Sequence, residues 1–288
     1  TYTCLGITCA DVGGLLTSAK TVGTYETGME RCNGPSPDIA GYTPGSDVVE
    51  HSEIDLDAKE MGTAAGSADW ATAKTKYTVG GWSTKSAGVR TLQGFSTGLD
   101  GKAAGLEPMY DNQKAFWGTG TFGDQLVLAA LDDTTDAAVN MVAGSPDKLR
   151  KEVAVKTMAY TVTGLYAIHE MEDAVRDCTS LDISDNDGQV HAWDEAVAFY
   201  AGSLERTVAG GDEGGQLGYR LAEKRCGNYG TCSGSDGVSG ISQVNAKVMA
   251  AFDLGRDVLT AGDCAAAATQ MEVIKKQMKV PLVQGMLR

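Results

Sequence analysis

The apolar positions of this chain recur mostly at helical spacing. In Asp69–Val79, Trp70, Ala73 and Tyr77 fall three and four residues apart, on one helix face. Met109–Trp117 and Asp124–Leu131 read as short helices. Ser145-Pro146-Asp147 is a helix start, with serine as N-cap and proline in the first turn. From there Leu149, Val153, Met158, Val162, Leu165, His169 and Val175 approximate one stripe, which predicts a long helix to about Cys178. Ala192–Ser203, Gln216–Cys226, Ser242–Leu259 and Ala265–Met278 continue the pattern, and Pro281 is expected to end the last of them. Residues 1–66, rich in Gly, Thr, Ser and Asp with Pro35, Pro37 and Pro44, read as irregular cover. Gly80–Gly105 holds seven glycines, with Trp82, Phe95 and Leu99 as anchors, and reads as an ordered loop. Strand signals are few. The predicted fold class is all-α, mostly helical, with long Gly-rich ordered loops.

The pattern also repeats. Tyr110-Asp111-x3-Ala115-Phe116-Trp117-Gly118 returns as Trp193-Asp194-x3-Ala198-Phe199-Tyr200-x-Gly202, 83 residues later. Val153-x2-Lys156-x-Met158-Ala159-x4-Gly164 returns as Val244-x2-Lys247-x-Met249-Ala250-x4-Gly255, 91 later. One loop of eight extra residues within Glu205–Gly215 accounts for the change of offset. The expected organisation is one packed domain in three parts. Residues 1–66 form an irregular, disulfide-pinned segment, 67–178 a first helical half, and 179–288 a second half duplicating about 110–178. The aromatic pairs Trp70/Tyr77, Tyr110/Trp117 and Trp193/Tyr200 are each seven apart, which suits helix-packing core, with an aromatic ligand cage as the alternative.

Charge changes this picture next. The 288 residues carry a formal charge of −14 and a pI of about 4.6, a surface that repels nucleic acid and anionic membranes. No run approaches the roughly 18 apolar residues of a transmembrane helix. Thr1 opens a polar segment, as in a secreted chain whose signal peptide has been removed. Of seven cysteines, Cys226 and Cys232 flank a tight turn and read as a local disulfide, while Cys4, Cys9 and Cys32 pin the N-terminal segment. Zinc spacings are absent, so an oxidising compartment is expected, with one thiol free or paired between chains. No G-x-S-x-G, P-loop or H-E-x2-H occurs, and Gly118-x-Gly120-x2-Gly123 follows a helix rather than a strand. The chain is therefore not expected to be an enzyme.

Trp193-Asp194-Glu195-Ala196-x2-Phe199-Tyr200-x-Gly202-Ser203-Leu204-Glu205, then Gly215-x-Leu217-x-Tyr219-x-Leu221-Ala222-x-Lys224-Arg225-Cys226, resembles the Fea-type iron-assimilation proteins. These are low-iron-inducible or high-CO2-inducible periplasmic proteins of algae. Ala73-x3-Tyr77-x2-Gly80-Gly81 and Arg90-Thr91-Leu92-Gln93-Gly94-Phe95-Ser96-Thr97 resemble the family's N-terminal half, and the likeness covers about residues 50–270. It implies a secreted protein of the periplasmic space or cell surface, made when iron is scarce and helping to collect it. It supplies no ligand set, so candidate ligands come from residue chemistry.

Glu50-His51-Ser52-Glu53-Ile54-Asp55-Leu56-Asp57 concentrates a histidine and four carboxylates. Glu50, His51 and Glu53 are candidate iron ligands: on a helix Glu50 and Glu53 share a face, and in an extended segment His51 and Glu53 align with Asp55 and Asp57; the plainer reading is a solvated acidic loop. In His169-Glu170-Met171-Glu172-Asp173, His169, Glu172 and Asp173 share a helix face and form a second candidate iron site, against a partly buried histidine beside a charged helix end. Asp182–Asp194 resembles a calcium loop, with Asp185 and Asp187 at ligand positions and Asp194 last, although Ile183 occupies the first position. Its plainer reading is an Asp-rich turn before the Trp193 helix. His191 is a further candidate, able to join His169. The E-x2-H signature of di-iron bundles is absent. The expected function is a secreted, metal-associated protein assisting iron acquisition. The alternative is an extracellular wall or filament protein, calcium-stabilised. Expected partners are a metal ion, with self-association or a cell-surface receptor.

Overall fold

The computed structural model describes residues 3–4, 7–8, 36–137, 141–180 and 188–287. It is mostly helical, as the apolar spacing predicts. After the short antiparallel pair β1 (Thr3–Cys4) and β2 (Ile7–Thr8), helices α1 (Val49–Ser52), α2 (Ile54–Gly66) and α3 (Trp70–Thr78) follow. A hairpin of β3 (Thr84–Lys85) and β4 (Gly88–Val89) leads to α4 (Leu92–Ala103). Next come α5 (Pro108–Trp117), α6 (Phe122–Asp132) and α7 (Asp147–Thr157). A π turn, Met158–Val162, joins α7 to α8 (Thr163–Ser180). The chain finishes with α9 (Gln189–Ala201), α10 (Gly218–Tyr229), α11 (Gln243–Thr260) and α12 (Cys264–Met286).

Three expectations are corrected. The irregular reading of 1–66 fails for its end. Ile54, Ala58, Met61 and Ala65 recur at helical spacing and are all buried, so α2 is a helix despite its acidic start. The ordered loop at 80–105 contains α4. There Leu92, Phe95, Leu99 and Ala103 face the core, Gly98 and Gly101 meet nothing, and the Thr91 hydroxyl caps the first turn by accepting from Gly94 N at 2.9 Å. Pro281 does not end the last helix. It lies buried within α12, where the carbonyls of Pro281 and Gln284 accept from the hydroxyls of Tyr160 and Tyr229. The long helix from 147 is present, with the π turn at its centre. There the Thr163 hydroxyl donates to the Met158 and Ala159 carbonyls.

Apolar burial forms one connected core around the α8–α9 pair. The aromatic repeat serves it: Tyr77, Tyr110, Trp193 and Tyr200 are all buried. The Trp193 indole donates to Phe252 O at 2.9 Å and lies on Gly255, where a β-carbon would stand 2.0 Å from the ring. The Cys226–Cys232 disulfide forms as expected, and a second, Cys178–Cys264, ties the end of α8 to the start of α12. Cys9 and Cys32 lie outside the described residues. Much of the acidity is turned inward as acceptors for otherwise orphaned backbone donors. Asp55 accepts from Ser203 Oγ and Leu204 N, both at 2.8 Å. Glu205 accepts from Glu213 N and Gly215 N, which wraps the 205–215 loop around its carboxylate.

Candidate metal centre

Two ligand groups stand beside each other on α8 and α9. In the first, α1 carries His51, and α9 carries His191 and Glu195 one turn apart. Their ligand atoms lie within 4.8 Å of one another. Glu195 Oε1 is 2.7 Å from His51 Nε2 and 3.1 Å from His191 Nε2. The two imidazoles meet edge to face with centroids 5.4 Å apart. All three side chains are mostly buried, with 12–17 % of their surface exposed.

Neighbouring groups fix the protons. Ser46 spends its O–H on Asp194 Oδ2 at 2.7 Å, so its oxygen accepts from His191 Nδ1–H at 3.0 Å. A neutral His191 then keeps its lone pair on Nε2, the form a metal needs. Asp194 is itself fixed by Tyr42 OH and Ser46 N. His51 Nε2 lies 2.6 Å from Arg90 Nη2, which can only donate. That nitrogen therefore accepts from Arg90 while a carboxylate oxygen approaches it at 2.7 Å. The Nδ1 of His51 is buried with no partner among the described residues. The electrostatics follow. Burial pushes His51 down, aided by Arg90 and His191 and opposed by Glu195. Burial also presses on His191, but the hydrogen bond and charge of Glu195 hold it above the usual histidine range. Burial would raise Glu195, yet the two imidazoles hold it well below the usual carboxylate range.

The second group lies on α8. Ligand atoms of His169, Glu170 and Asp173 also fall within 4.8 Å of one another. Glu107, before α5, binds His169 Nδ1 at 2.6 Å and leaves Nε2 buried without a partner among the described residues. Glu170 is buried, and burial with the charge of Glu195 pushes its pKa well above the ordinary value. Tyr166 beside it is pushed up to about 12 by burial and by Glu170, and Lys102 Nζ donates to its hydroxyl at 3.0 Å.

The predicted ligands thus divide. His51 and His191 come together; His191 joins His51 rather than His169. His169 and Asp173 stand in the second group, where Asp173 also pairs with Arg176 at 2.6 Å. Glu172 does not join them. It points to α12 and binds Lys275 at 2.6 Å, because its position on α8 faces that helix. Glu50 and Glu53 belong to neither group. Asp194 accepts from Tyr42 and Ser46, while Asp185 and Asp187, the other predicted calcium ligands, lie outside the described residues. Sequence reasoning missed Glu195, Glu170 and Arg90. The signal for Glu195 was the His191-x3-Glu195 spacing, one helical turn.

A family model described as low iron-inducible periplasmic protein matches residues 22–252. No curated protein and no solved structure matches the chain. Among the described residues no helix is long and apolar enough to cross a membrane.

Proposed function

Because the chain belongs to the low iron-inducible periplasmic protein family, we propose that it binds iron as cargo outside the cytoplasm, without chemical turnover. The centre is His51, His191 and Glu195. The observation that carries this reading is the crowding at Glu195 Oε1, where two Nε2 atoms converge at 2.7 and 3.1 Å. One of them already accepts from Arg90, and the other is left as an acceptor by Ser46. The His191 lone pair against the Glu195 oxygen calls for a positive charge between them, and His51 adds its own lone pair once Arg90 withdraws from it. A proton on His191 meets that need in the free protein, and a metal ion meets it better. Two imidazoles and a carboxylate with open positions suit iron. The disulfides Cys178–Cys264 and Cys226–Cys232 fit the periplasmic space or cell surface.

The test is anaerobic titration of metal-depleted protein with ferrous iron, with zinc as competitor. One equivalent is expected to bind, with Glu195→Gln and His191→Ala each weakening it at least about 100-fold and His169→Ala leaving it in place. Parent-like binding by both α9 variants would overturn the assignment.

A further inference from the structure

Away from the metal centre, a cleft of about 500 Å³ opens between α2, α7 and α10. In a chain of net charge −14 it gathers Lys59, Lys151, Lys156, Lys224 and Arg225 around a single carboxylate, Glu152. That carboxylate is already engaged, since Lys156 Nζ lies 2.6 Å from it. Arg225 is the informative member. It is only 4 % exposed, and its Nε is buried without a partner. Among the described residues no hydrogen bond or ion pair satisfies its guanidinium.

A buried, permanently charged group with no counter-ion is costly, and folds normally pair it or leave it in water. Here the fold does the reverse and holds it in place. Cys226, the next residue, is locked by the disulfide to Cys232. Glu223, two residues earlier, faces away and accepts from Ser242 N and Asn245 Nδ2, so it cannot neutralise Arg225. The neighbouring Lys224 is held below the usual lysine range by partial burial and by Arg220, Arg225 and Lys151, against the opposing charge of Glu152.

We propose that this cleft binds a small multivalent anion, a phosphate or polycarboxylate, with Arg225 at its floor and Lys59, Lys151 and Lys224 at its mouth. A planar guanidinium takes two oxygens of such a group side by side, and the lysines supply point charges for the remainder. The volume accommodates a small metabolite. The site shares no residue with the metal centre and does not rest on the iron reading.

Calorimetric titration of the metal-depleted protein with inorganic phosphate and with citrate, in 0.15 M sodium chloride, tests this. Saturable one-to-one binding of either anion is expected, and which of the two binds tells a phosphate site from a polycarboxylate one. Arg225→Met is expected to weaken it at least about tenfold. Lys151→Ala and Lys224→Ala, which alter partly exposed side chains and leave the core intact, are each expected to weaken it about threefold or more. Glu195→Gln is expected to bind the anion as the parent does. No saturable binding of either anion, or undiminished binding in both lysine variants, would overturn the proposal.

Discussion

Glu195 shows how little a side chain's number reveals of its work. It follows Asp194, yet the two carboxylates part company. Asp194 turns to Tyr42 and Ser46 and holds the approaching loop, while Glu195 turns to two imidazoles. Burial separates other acids in the same way. Asp55 is fully buried, and its pKa is pushed up to about 7 by burial, against the hydrogen bonds from Leu204 and Ser203. The folded chain therefore keeps a proton that an unfolded chain releases near pH 4. Stability should fall as pH rises from about 4 to about 7 and then level off, by an amount on the order of 4 kcal/mol from this residue. Denaturant melts across that range should show the slope in the parent and its reduction in Asp55→Asn. At this scale the sequence was partly readable. His51 and His191 stood out because histidine is scarce here. Glu195, Glu170 and Arg90 did not, because acids on helices are ordinary and Arg90 lies in the short stretch after β4; only the packing of α1 on α9, and of the hairpin on α1, brings Glu195 and Arg90 to His51.

Among the helices, periodicity was a good guide wherever glycine-rich or acidic composition did not mask it. It failed at α4, whose glycines resemble loop composition although Leu92, Phe95, Leu99 and Ala103 keep the helical interval. It failed again at α12, because proline's break is a local rule and the tyrosine hydroxyls that serve the nearby carbonyls come from distant helices. The similar motifs fall on helices each time: Tyr110 on α5 and Trp193 on α9, Gly164 on α8 and Gly255 on α11. The α9–α11 contact depends on Gly255. Gly255→Ala drives a methyl into the Trp193 ring and should lower stability by about 2–3 kcal/mol, read as a loss of melting temperature with unchanged helical content. The Cys178–Cys264 bridge closes a separation of 86 residues. Its removal by paired serine substitution should cost about 4 kcal/mol, seen as a lower denaturation midpoint.

For the molecule as a whole, the proposed metal centre is a clasp. One arm is the segment from Tyr42 to His51, and the other is α9, buried in the core. Cargo bound between them should slow amide exchange across residues 42–52 and raise the melting temperature, with both effects absent in Glu195→Gln; hydrogen–deuterium exchange with and without iron measures this directly. Ser46 and His191, which set the proton on the ligand, stand 145 residues apart in the chain. No local stretch of nascent polypeptide can assemble such a centre. A centre built from residues this far apart exists only once the chain has folded, so the proposed cargo can be taken up only after folding is complete.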